Sequence, residues 1–200
     1  MIVENRPIWV TIETSRIAII QLQRCAEHLV KADQDPYRLL DATRCLHLSM
    51  VAALTEALTA SAGTGALTPK SARRVHEVLT SGVGGVAFKE EAMSYRQLLE
   101  TAQTPGRLEW VQSALVLSEV EQEAARSLDE YRVLVDHPKP TSWSVSKADV
   151  RRVLTTVAPI VRRLLDAVPQ RYSAIDREVT DAAVAAIAFG GARAAATWDK

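Results

Sequence analysis

The chain has no apolar run long enough to cross a bilayer. Its most apolar stretches, Ile17 to Leu22 and Val184 to Phe189, fall well short of the roughly 20 residues that a spanning helix needs. Nothing near Met1 combines a basic flank, an apolar segment and a small-residue cleavage site, so no secretory leader is predicted. Cysteine is scarce, with Cys25 and Cys45 the only two. A disulfide scaffold is therefore not expected, and a reduced, cytoplasmic compartment is. Charge of one sign is also missing, because 24 Lys and Arg residues balance 24 Asp and Glu residues. No global field draws the chain to nucleic acid or to an anionic membrane, and any such partner must be held by a local patch. Aromatic residues make up only 5%, and the β-branched residues fall mostly at helical spacing, which disfavours a sheet. The one glycine-rich run, Ser81-Gly82-Val83-Gly84-Gly85, follows no strand and precedes no Gly-Lys-Ser/Thr, so it reads as a loop rather than a phosphate cradle. Cys25 with His28 and Cys45 with His47 make a weak metal set, because the second pair sits two residues apart and points to different sides of a helix. No Gly-x-Ser-x-Gly elbow or His-Glu-x-x-His pair is present. No metal and no cofactor are predicted.

What the chain does have is helix-forming residues at helical spacing. Hydrophobic residues are 48% of the 200, enough for one domain to bury a core without staples. Thr11 to Lys31 reads as a first helix, with Ile12, Ile17, Ile20 and Leu29 among its apolar positions, and Asp35-Pro36 ends it. A second runs from about Pro36 to Ala60 with a wide stripe of Leu39, Leu40, Leu46, Met50, Leu54 and Leu58. Thr68-Pro69 supplies a cap and a first-turn proline for a third helix with Val75, Val78 and Leu79, ending near Ser81. A fourth covers about Lys89 to Ala102, and Leu108 to Leu117 stays open between a helical turn and a connection. Ser118-Glu119-Val120-Glu121 has the form of a capping box. The helix it opens carries Val120, Ala124, Leu128, Tyr131 and Val135, and His137-Pro138-Lys139-Pro140 must end it.

Ser146-Lys147-Ala148-Asp149 begins the next helix. Val150, Val153, Leu154, Val157, Val161, Leu164, Leu165 and Val168 form its inner face; Arg151, Arg152, Arg162 and Arg163 are expected outside, and Pro159 is expected to kink it. A last helix, about Ser173 to Ala196, is rich in small residues and suited to close packing on a neighbour or a second subunit. The predicted class is all-α: an antiparallel bundle of about six or seven helices in a single domain over residues 1–200, with a core at about 9–168 and an additional C-terminal helix at about 173–196. No repeat or linker argues for two domains.

Candidate chemistry gathers where the Ser118 helix runs out, at Arg132-Val133-Leu134-Val135-Asp136-His137. An arginine and a histidine at a helix end suit phosphate holding and proton exchange, since arginine pairs bidentately with phosphate and histidine titrates near neutrality. The same residues equally form an Arg132–Asp136 pair at i,i+4 with a polar histidine after it. Spacing alone favours that second account.

The surroundings add to the first. Arg132 to Ser144, RVLVDHPKPTSWS, resembles the Arg-Asn-x-x-x-His-x-x-Pro-x-Gly-Trp-Ser stretch of bacterial HEPN superfamily proteins. Asp35-Pro36-Tyr37, the helix holding His47 and Ala52-Ala53-Leu54, and the helix start at Leu67 to Ser71 resemble that family's N-terminal half. The resemblance implies a HEPN-like helical bundle, commonly a homodimer, with a metal-independent ribonuclease site. Arg132 would bind phosphate, His137 would be the general acid or base, and RNA would be the substrate. It also implies the toxin or effector half of a defence or toxin–antitoxin pair, with an antitoxin or other partner protein. Trp143 offers a base-stacking face, with Ser142 and Ser144 beside it as candidate substrate contacts; packing of the indole on the helix end, and loop or cap roles for the serines, stay open. One departure is Val133, where the family commonly carries a polar residue, often asparagine. It leaves a second reading standing: a catalytically inactive bundle that dimerises or binds a partner protein. A third, a small-ligand-binding regulatory bundle, rests on helical architecture alone.

Overall fold

The computed structural model describes residues 13–59, 64–81, 90–108, 113–137 and 144–196, with side chains through residue 191. It is all-helical among these residues, an all-α helical bundle of seven helices: α1 (Thr14–Lys31), α2 (Arg38–Leu58), α3 (Pro69–Ser81), α4 (Tyr95–Ala102), α5 (Glu119–Asp136), α6 (Lys147–Asp166) and α7 (Ala174–Ala196). Extended backbone pairing is confined, in the described residues, to one antiparallel bridge between Leu67 and Ala92. None of the described helices is long and apolar enough to cross a membrane.

Local sequence explains most of the helix boundaries. The Ser118 box forms as its spacing predicts: Glu121 N–H donates to Ser118 Oγ at 3.3 Å and Ser118 N–H to Glu121 Oε2 at 2.9 Å. Ser146 caps α6 by accepting from Asp149 N–H at 3.3 Å. Thr68 starts α3, its Oγ1 accepting from Ser71 N–H at 3.4 Å. A second full box, Ser94 with Gln97, opens α4 later than the Lys89 start that apolar spacing suggests. The described part of the 108–117 segment is non-helical, with Leu108, Leu115 and Leu117 buried as a connection rather than a helix face.

α2 is the centre of the bundle. It packs most extensively on α1 and also meets α4, α5 and α6, while α7 lies on α1 and α6. Leu39, Leu46, Met50, Leu54 and Leu58 of α2 are buried, as is the whole predicted inner face of α6. Pro159 lies inside α6 on its exposed side, and the helix runs through it without a break. The predicted stripes fail at their edges, for Ile20 and Val120 are exposed, and α3 buries only Ser71. α7 approaches its neighbours through glycine: a Cβ on Gly190 would stand 3.2 Å from Leu29, and one on Gly191 would clash with the Thr155 methyl.

Arg151 corrects the expectation of an outward arginine. Its side chain is only 6% exposed, and its guanidinium donates to Asp33 Oδ1 at 2.6 Å and to the Gly190 carbonyl at 2.7 Å. The helical wheel puts it beside the apolar face. The loop after α1 and the backbone of α7 close over it and supply the acceptors that a buried cation requires.

Candidate functional site

Arg132 leaves α5 one turn before its end and lies half-buried on the side facing α2. Its Nη2 donates to Asp129 Oδ1 at 3.4 Å, and its Nη1 lies 3.6 Å from Asp136 Oδ2. Both partners sit on the same helix face, three residues before and four after. α2 contributes the other half. Arg44 Nε lies 2.8 Å from Asp136 Oδ1, outside the alignment that a hydrogen bond needs. His47 Nε2 lies 3.2 Å from Asp129 Oδ1. Two arginines and two aspartates thus balance at the α2–α5 contact. Asp136 stands in the last turn of α5, where the helix dipole disfavours a carboxylate, and Arg44 and Arg132 offset that.

His47 is buried, with its ring 4.8 Å from that of Tyr95, and Tyr95 in turn donates its hydroxyl to the Ala125 carbonyl at 3.1 Å. Burial first, then the Arg132 charge, hold the His47 imidazole below its ordinary range, outweighing the upward pull of Asp129 and Asp136. A neutral His47 beside an ionised carboxylate must donate from Nε2. Asp129 therefore joins His47 to Arg132. Sequence spacing could not have found this link, because the two helices that carry it are far apart in the chain.

His137 caps the C-terminus of α5, its N–H donating to the Val133 carbonyl at 2.9 Å, and its side chain is exposed. Arg132 and His137 share the helix end with no hydrogen bond between them: the guanidinium turns toward Asp129 and Asp136, and His137 is exposed. Val133 is 41% exposed beside them. Ser144 is exposed in the approach to α6, whereas Trp143 and Ser142 lie outside the described residues. Arg132 Nε is buried without an acceptor, and Asp136 Oδ1 is similarly unmatched. Among the described residues, two cavities lie away from this helix end. One of about 420 Å³ is bounded by Ser15, Glu56 and Arg171, and one of about 400 Å³ by residues of α3 and α4 such as Ala72 and Gln97.

Of the four residues weighed as a metal set, the two histidines part company in the fold. His28 faces Asp41 and Arg38, His47 faces Asp129, and Cys25 is enclosed by the core. No protein-family model, curated protein or solved structure matches this chain.

Proposed function

We propose that the chain is a HEPN-like bundle that acts on RNA at the end of α5, with Arg132 holding a phosphate and His137 moving the proton. The observation that supports it is the state of the pair at one helix end. His137 is exposed at the cap, and Arg132 is held by two long, non-bidentate contacts with its Nε unsatisfied. A guanidinium in that state can exchange a carboxylate for a phosphate with little loss, because two phosphate oxygens can accept together from its planar fork, whereas Asp129 and Asp136 each meet it through one oxygen. The chemistry is attack of a ribose 2′-hydroxyl on the adjacent phosphorus. Histidine takes or returns the proton, and arginine stabilises charge developing on the phosphoryl oxygens. In this reading the protein is the toxin or effector of a pair, controlled by a partner protein and working as a homodimer that brings two helix ends together.

A second reading, a catalytically inactive bundle that dimerises or binds a partner protein, is favoured by the carboxylates themselves. Asp129 and Asp136 flank the only arginine of the motif and cancel the positive field that a polyanion needs. One assay separates the two. Purified chain is incubated with mixed RNA in EDTA beside His137→Ala and Arg132→Ala, each checked for native circular dichroism. Cleavage by the wild type that both variants lose supports the RNA reading; no cleavage, or cleavage that all three share, leaves the inactive bundle.

A further inference from the structure

Cys25 on α1 and Cys45 on α2 are both free thiols, and the hairpin of these two helices sets them at one level. Its register is fixed at two points. Ser49 Oγ donates to the Ala18 carbonyl at 2.7 Å toward the open end, and His28 Nδ1 lies 3.5 Å from Arg38 Nη1 and 3.7 Å from Asp41 Oδ2 toward the loop. Counting inward from either point along antiparallel helices brings residue 25 opposite the turn that holds residues 42 and 45. Their side chains also sense each other. Burial first, then the nearby Cys45, raise the Cys25 thiol, and Cys45, itself raised by burial, lies among the charges of Arg24, Asp41, Arg44 and Glu27.

Small residues stand among the leucines on the facing sides of the two helices. Ala18, Ala26, Ala42, Ser49 and Ala53 are all buried along this hairpin, and small side chains let helix axes approach toward the short end of the usual 8–10 Å range. A disulfide needs Cα atoms about 4.4–6.8 Å apart, which facing positions of such a pair can reach by a change of side-chain rotamer. Exposure divides the roles: Cys45 is half-buried at the rim, whereas Cys25 is fully buried.

We propose that Cys25 and Cys45 form a reversible intramolecular disulfide under peroxide stress, pinning α1 to α2. The Cys45 thiolate attacks the peroxide O–O bond, giving a sulfenic acid and releasing hydroxide, which takes up a proton as water. The Cys25 sulfur then attacks the Cys45 sulfur, the S–O bond breaks, and the hydroxide leaves with the Cys25 proton as a second water. The two thiols give up two electrons and the peroxide receives them. Burial raises both thiols above their ordinary range, so the first attack draws on a minor thiolate form and the second follows opening of the rim. Because the disulfide ties the two longest-packed helices, it stabilises the centre of the bundle rather than a peripheral loop.

The test uses the full chain and hydrogen peroxide, followed by denaturation in N-ethylmaleimide and intact mass measurement. Wild type is expected to lose both alkylatable thiols together, to weigh two hydrogens less, and to regain both thiols with dithiothreitol; its urea midpoint rises on oxidation. Cys25→Ala is expected to stop at a Cys45 oxyacid. Cys45→Ala is expected to keep Cys25 alkylatable after the same exposure. The proposal is overturned if wild type with native circular dichroism keeps Cys25 alkylatable while Cys45 is oxidised. It is equally overturned if the thiols are lost only into disulfides between chains.

Discussion

Removing the Arg151 side chain tests whether the buried cation is a fastener between α6, α7 and the loop after α1. Arg151→Ala deletes two short charge-assisted hydrogen bonds, to Asp33 at 2.6 Å and to the Gly190 carbonyl at 2.7 Å. Breaking a fully buried pair costs about 3–5 kcal/mol, and each hydrogen bond to a charged group contributes about 1.5–3 kcal/mol. Two facts lower the figure here. Asp33 is 62% exposed and rehydrates when its partner goes, and the Gly190 carbonyl lies inside α7, where the helical ladder supplies another donor. The expected loss is therefore about 2–3 kcal/mol in urea unfolding near neutral pH. Arg151→Lys should recover part of it, since one ammonium cannot span both acceptors with a planar fork. Asp33→Asn should cost about 1 kcal/mol or less, as befits an exposed acceptor. A loss below about 0.5 kcal/mol for Arg151→Ala would place that substitution with ordinary surface changes and refute the fastener.

Close packing of α7 predicts that Gly191→Ala destabilises by about 1–3 kcal/mol, since its methyl meets that of Thr155. Thr155→Ala in the same chain should recover most of the loss, and a double-mutant cycle showing no coupling would count against the contact. The His47 imidazole is held below its ordinary range in the fold, so the unfolded chain takes up its proton first. Its contribution is fully present above about pH 6.5 and is lost as pH falls through the lower, folded value. His47→Gln should flatten this acid limb of the unfolding profile, and an unchanged slope would show that another group carries it.

How much could be read without the fold differs from residue to residue. The inner face of α6 was legible because eight apolar residues recur at helical spacing and every one is buried. The Ser118 box was legible because both halves of a capping box lie within one turn. Asp136 as a partner of Arg132 was legible for the same reason, four residues along one helix. Ile20 and Val120 misled because their apolar side chains stand at stripe edges, where burial depends on whether a neighbour arrives. Arg151 misled for the converse reason: a polar residue by pattern, it is covered by a loop and a helix that no local window contains.

Sequence by itself determined the all-α class, most of the helices and the caps at Thr68, Ser118 and Ser146, since these follow from hydrogen bonds and spacings within a few residues. It also singled out Arg132 and His137 as a pair of chemical interest at one helix end. Only the tertiary structure decided what that end is made of. His47 and Arg44 reach Asp129 and Asp136 from α2, and the guanidinium of Arg132 settles between two carboxylates while His137 stays in solvent. The charge that a side chain presents to a substrate is fixed by what packs against it. That packing brings together residues the chain keeps far apart.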